Sequence, residues 1–302
     1  MRSPTYIEPF LGAGAVWLHL LDPALIPPTG YMGGKRRLAR LVLDLLGLRP
    51  ECRVPCVLGD ASWWGEVWPI ILDPTTGPRV SAWLRSWHGE GPRELWLRLR
   101  DEGPAEDPVE RAAGLLWLQA DAASGMPVWW EEATIPPSQA CSKSRSAQLV
   151  QWAPPKADGI RRTQAPGCKG HHHDMIYPGT VADRLDAIRR RPIGAPIIYH
   201  ADALDVIREW STRIGSAGRY YLDPPYDGVP GYQVACRREH VLVIAEESAR
   251  HGGRVVLSEA EPLHDALGAG WRSIQLRKAP KPEWVTVYWI RPRHALMGPL
   301  FT

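Results

Sequence analysis

A chain of 302 residues that is 44% hydrophobic has apolar side chains enough for a real core, which excludes a disordered chain. Its length points to one large domain with an insertion, or to two domains. A net charge of +3 excludes a polycation acting through bulk charge, and five scattered cysteines, an odd number, argue against a disulfide framework. Met1 to Phe10 lacks an apolar signal core and no run approaches the ~18 apolar residues of a membrane span, so a soluble, cytoplasmic protein with no membrane partner is expected.

From Tyr6 to about Arg100 the pattern is α/β. Thr5 to Glu8 reads as a short strand, Phe10-Leu11-Gly12-Ala13-Gly14 as a glycine turn, and Ala15 to Leu21 as a helix. Pro27 to Gly30 is a loop. A second helix is predicted from about Lys35 to Leu46, with Leu38, Leu41, Val42 and Leu45 at helical spacing and Gly47 as its stop. Val54 to Leu58 reads as a strand that ends at Gly59-Asp60, and another apolar run, Ile70-Ile71-Leu72, precedes Asp73. Glu110 to Gln119 has a helical pattern.

From Ser124 to about Pro192 periodicity is lost and proline, glycine, serine, tryptophan and basic residues dominate. That is too long for an ordinary connection, so 102–194 reads as either a functional insertion or a partly disordered region, interrupting an α/β core made of 1–101 and 195–302. Between Cys141 and Ala195 stand ten Lys or Arg against four Asp, twice the excess of the whole chain. Such a local excess suits phosphate binding as well as it suits a solvated surface. Cys168 and His171 to His173 match no zinc spacing, so no metal is expected.

The α/β pattern resumes at Ala195. Ile197 to Tyr199 reads as a strand leading to Asp202 and a helix to about Trp210; Tyr220 to Leu222 leads to Asp223; Glu239 to Arg250 is helical and Val255 to Leu257 a strand. Two last strands, near Ser273–Leu276 and Trp284–Ile290, are expected to pair as an antiparallel hairpin, and the two halves of the core to share one sheet.

Asp223-Pro224-Pro225-Tyr226 carries the most chemistry. Two prolines end the preceding strand, because neither donates to a sheet ladder. An acid, two rigid carbonyls and an aromatic ring then share a strand's carboxyl end, which suits a flat base held by its exocyclic amine. A proline-stiffened turn around a tyrosine would look the same alone. Glu8 stands just before the glycine turn, where a carboxylate suits a cationic or hydroxyl-bearing ligand, and Tyr31-Met32-Gly33-Gly34-Lys35 offers a cation at a helix start. Asp60 and Asp202 follow apolar runs, as ligands for ribose or adenine or as helix caps.

Together, Glu8-Pro9-Phe10-x-Gly12-x-Gly14, Gly33-Gly34-Lys35 and Asp223-Pro224-Pro225-Tyr226 resemble the motifs of Dam-like DNA N6-adenine methyltransferases. The resemblance covers roughly Tyr6 to Gln119 and Pro196 to Ile290. It implies a Rossmann-like class I methyltransferase fold, a mixed sheet with helices on both faces, and S-adenosylmethionine as methyl donor. It implies that Pro9, Phe10, Gly12 and Gly14 line the cofactor site with Glu8 beside the methionine moiety, that Tyr31 and Lys35 belong to it, and that Asp202 binds the adenine. The ribose-binding acid is one departure from the family pattern: Asp60, which ends a strand soon after the Gly-Gly-Lys helix, is the choice, with Asp73 as rival. The chain departs from the family in order, since Gly-Gly-Lys follows the glycine turn here instead of preceding it.

The resemblance further implies that Asp223 and the Pro224 carbonyl accept the target amine's two N–H bonds, that Pro225 and Tyr226 complete the tetrapeptide, and that Tyr226 stacks on a base flipped out of double-stranded DNA. The insertion is then the recognition region. Arg161, Arg162, Lys169 and Arg189-Arg190-Arg191 are expected on phosphates, and Trp129 and Trp130 against the DNA. Cytosine N4, adenine in RNA, or a catalytically silent DNA-binding relative are the alternatives, as a monomer or weak dimer.

Overall fold

A computed structural model of the chain describes residues 3–30, 35–87, 98–99, 102–120, 178–192, 194–226, 234–277 and 283–288. Among these, β1 (Thr5–Glu8), β2 (Cys56–Gly59), β3 (Ile197–Tyr199), β4 (Gly218–Leu222), β5 (Arg254–Glu259), β6 (Trp271–Arg277) and β7 (Glu283–Tyr288) form one sheet in the order β3-β2-β1-β4-β5-β7-β6. The first five run parallel. β7 lies antiparallel between β5 and β6, so the expected terminal hairpin forms and its second strand docks on the parallel core. β1 and β2, from the first half of the chain, sit between β3 and β4 from the second.

The parallel strands β1, β2, β4 and β5 are largely buried on both faces, which is why they read as apolar runs, whereas β3 lies at the sheet edge and is only partly covered. Alternation sends Tyr6, Leu58, Tyr221 and Val256 to one side and Ile7, Val57, Tyr220 and Val255 to the other. The first face carries α1 (Ala15–Leu21), α2 (Ala39–Leu46), α3 (Trp63–Leu72), α4 (Thr76–Ser86), α5 (Pro108–Ala120) and α6 (Pro178–Arg189). The second carries α7 (Ala203–Ile214), α8 (Arg238–Ala249) and α9 (His264–Leu267). The result is a mixed, mostly parallel α/β sheet with helices on both faces, an arrangement compatible with a Rossmann-like fold. Among the described residues no helix is long and apolar enough to cross a membrane.

Two local readings change, and one apolar run finds its place. α2 ends at Gly47 as expected, with φ 72°, but buries Ala39, Val42, Leu43 and Leu46 instead of Leu38, Leu41 and Leu45. Apolar residues surround that helix, so spacing alone left two faces open. The apolar run Ile70-Ile71-Leu72 is the last turn of α3, and Asp73 is its C-cap. The end of the irregular stretch is also helical: in α6, Pro178 starts the helix and Val181, Leu185 and Ile188 bury one face. α5 and α6, which bracket 121–177, belong to the same apolar core as the sheet and pack on α4.

Candidate active site

The sheet order reverses between β1 and β4, and in doubly wound sheets ligands bind there, beyond the strands' carboxyl ends. A cleft opens at that point. Its lining comes from Pro9 to Ala15 after β1, Asp60 to Ser62 after β2, Asp202 and Ala203 after β3, and Asp223, Pro225 and Tyr226 after β4. Four segments that lie far apart in the sequence therefore meet because four parallel strands end together.

The glycine turn is held from both sides. The Gly12 N–H donates to Asp60 Oδ2 at 2.7 Å, and the Gly12 carbonyl accepts from Trp68 Nε1 at 2.8 Å. Gly14 has φ 71°, and a Cβ there would stand 2.9 Å from the Trp68 ring, so only glycine fits. Trp68 is fully buried and meets Trp17 edge-on, with ring centroids 5.2 Å apart.

Asp60 is buried, and its other oxygen accepts the Ser62 N–H at 2.8 Å and the Ser62 hydroxyl. Burial pushes its pKa up, against the pull of those hydrogen bonds. Asp73 accepts from Thr75 and Thr76 amides on the surface and does not line the cleft, so Asp60 is the acid in reach of a ligand there. Asp202 does what a helix cap does, accepting the Leu204 N–H at 2.8 Å, and lines the cleft as well, with His240 Nε2 3.7 Å away.

Lys35 reaches the cleft from the turn before α2, with its side chain only 5% exposed. Its ammonium donates to Glu283 Oε1 at 2.7 Å and to the Tyr226 hydroxyl, lies 3.5 Å from Asp223 Oδ1, and stands 4.8 Å from the Tyr226 ring centroid. Burial works against that charge, but Asp223, Tyr226 and Glu283 more than offset it and its pKa is raised. Asp223 itself is pushed up to about 6 by burial, with Lys35 pulling the other way. Sequence reasoning placed Lys35 here for a ligand; the partners it meets are carboxylates of its own chain.

Glu8 stands behind the cleft lining. It is 2% exposed, accepts the Tyr6 hydroxyl at 2.8 Å, and burial pushes its pKa well up. Pro224 is buried beside the lining and Pro225 is part of it. The structure does not bring Arg189 and Arg191 to the cleft. Arg189 pairs with Asp186 and donates to Ser81 Oγ at 2.7 Å, and Arg191 pairs with Asp22. Both adjoin Ala195, which leads into β3, so they occupy the amino edge of the sheet, opposite the cleft. Arg190 lies exposed between them. None of the three lines the cleft. Tyr31, Gly33, Gly34, Trp129, Trp130, Arg161, Arg162, Lys169, Cys168 and His171 to His173 lie outside the described residues.

Sequence reasoning missed Glu283, Glu259, Trp68 and His240. Glu283 opens β7 and Glu259 closes β5, so an antiparallel partner delivers one acid to the edge where the other ends. Burial pushes Glu259 up to about 7. No family model matches this chain, and no curated protein matches it.

Proposed function

We propose that this chain is an S-adenosylmethionine-dependent methyltransferase acting on the N6 amino group of adenine in DNA. The observation that carries the reading is the meeting of the glycine turn and the Asp223–Tyr226 tetrapeptide in one cleft at the sheet's switch point. The sheet is compatible with the class I methyltransferase fold that the motif resemblance implies.

The donor set suits the cofactor. Asp60, Asp202 and Asp223 line the cleft as acceptors for hydroxyls, an amine and a sulfonium charge, Phe10 and Ile244 add apolar surface, and the pinned glycine turn lets backbone approach closely. When bound, S-adenosylmethionine supplies an electrophilic methyl group. Asp223 and the Pro224 carbonyl accept the two N–H bonds of the target amine, which frees its lone pair from the ring. Tyr226 offers a face for the base to stack on. The nitrogen would gain the methyl as the donor's S–CH3 bond breaks, leaving S-adenosylhomocysteine as the thioether, and would lose one proton to the Asp223 carboxylate. The base must leave the duplex first, at a cost of a few kcal/mol.

Titration calorimetry with S-adenosylhomocysteine tests the cofactor half. One site per chain is expected, weakened at least tenfold by Gly14→Val, with circular dichroism confirming that the variant is folded. No heat from well-folded wild-type protein would contradict the reading.

A further inference from the structure

Glu283 has no part in the chemistry above, yet its carboxylate is the acceptor nearest to Lys35 other than the Tyr226 hydroxyl. An ammonium has three donors. Glu283 Oε1, at 2.7 Å, takes one in a charge-assisted hydrogen bond, the Tyr226 hydroxyl takes another, and Asp223, at 3.5 Å, is left with an ion contact longer than a good hydrogen bond. The order of those distances matters. Asp223 can serve a target amine only if its lone pairs are not already claimed by Lys35.

We propose that Glu283 is a positioning residue for methyl transfer: it anchors the Lys35 ammonium beside the Tyr226 ring and holds it 3.5 Å from Asp223, short of a close hydrogen bond, so that the Asp223 carboxylate stays open to the target amine. This rests on the methyltransferase reading. The topology supports the assignment, because β7 is antiparallel to β5 and so begins at the edge where the parallel strands end. With Glu283 removed, the buried ammonium has Asp223 as its one remaining carboxylate within 4 Å among the described residues. Lys35 and the amine would then compete for the same oxygens.

The proton balance gives a readout that a merely structural role would not move. Asp223 must be ionised to accept the amine's proton. The groups that act on it are Lys35 before α2, Glu283 on β7, Tyr221 on β4, Glu8 on β1, Glu259 on β5 and Tyr226 beside it. Burial and the Glu283 charge raise the Asp223 pKa, and Lys35 lowers it. Loss of the Glu283 charge, with Lys35 drawn closer, lowers it on both counts.

The experiment is the pH profile of kcat for labelled methyl transfer to DNA by wild type and Glu283→Gln, with S-adenosylhomocysteine affinity measured on each. For Glu283→Gln we expect kcat at pH 8 to fall about tenfold to a hundredfold, the acid limb to move to lower pH, and cofactor affinity to stay within about threefold. Glu283→Asp, which keeps the charge on a shorter stem, should lie between the two, and it carries the test if Glu283→Gln does not fold. Unchanged kcat and profile would overturn the inference, and so would a lower kcat with an unmoved acid limb. Wild-type protein that binds S-adenosylhomocysteine but transfers no methyl would overturn the methyltransferase reading instead.

Discussion

Asp223→Asn is expected to reduce methyl transfer at least a hundredfold, about 2.7 kcal/mol of transition-state stabilisation, while S-adenosylhomocysteine affinity changes only a few-fold. The substitution keeps the shape and removes the charge that accepts the amine's proton. Lys35 is not orphaned, because Glu283 holds it at 2.7 Å. Stability provides an independent check. Burial raises the Asp223 pKa to about 6 from an ordinary value near 4. The folded state therefore binds this proton more tightly than the unfolded chain, and the carboxylate's contribution to stability becomes less favourable as pH rises from about 4 to about 6. Below that window both states are protonated and the contribution is absent. The variant should thus melt at or above the wild-type temperature at pH 8, with the difference shrinking towards pH 4. Near-normal turnover in Asp223→Asn would remove Asp223 from the chemistry.

Asp60→Asn is expected to weaken S-adenosylhomocysteine binding at least tenfold, about 1.4 kcal/mol. One carboxylate oxygen accepts the Gly12 N–H and the other accepts from Ser62, so an amide nitrogen must face a donor on one side. A buried donor left unpaired costs about 1–3 kcal/mol. Relief of the buried charge offsets part of that cost in the fold, because burial already pushes the Asp60 pKa up. The loss should therefore fall more on the cofactor loop than on the melting temperature. Calorimetry with parallel thermal melts checks this: unchanged affinity would mean that Asp60 neither shapes the turn nor touches the ligand.

Much of this site was legible because its acids end apolar runs. Asp60, Asp202 and Asp223 each follow a short apolar run that forms a parallel strand, and the turn at Gly12 and Gly14 announces itself by composition. What was hidden depends on tertiary pairing. Glu283 reaches Lys35 only because β7 docks between β5 and β6, a choice made by the sheet and not by local sequence. Trp68 reads as core, and its bond to the Gly12 carbonyl follows from how α3 crosses the loop. α3 itself was obscured by Pro69 and by apolar residues on every side; a run such as Ile70-Ile71-Leu72 fits a strand as well as a helix turn. Charge counting grouped Arg189 and Arg191 with a basic surface, but Asp186 and Asp22 claim them within the fold.

The most direct test of the central claim is transfer of a labelled methyl group from S-adenosylmethionine to double-stranded DNA by the purified chain, followed by digestion to nucleosides and separation of the products. The account predicts label in N6-methyladenine, abolished by Asp223→Asn. Label in N4-methylcytosine, label taken up by RNA and not DNA, or no transfer by protein that binds S-adenosylhomocysteine would contradict it.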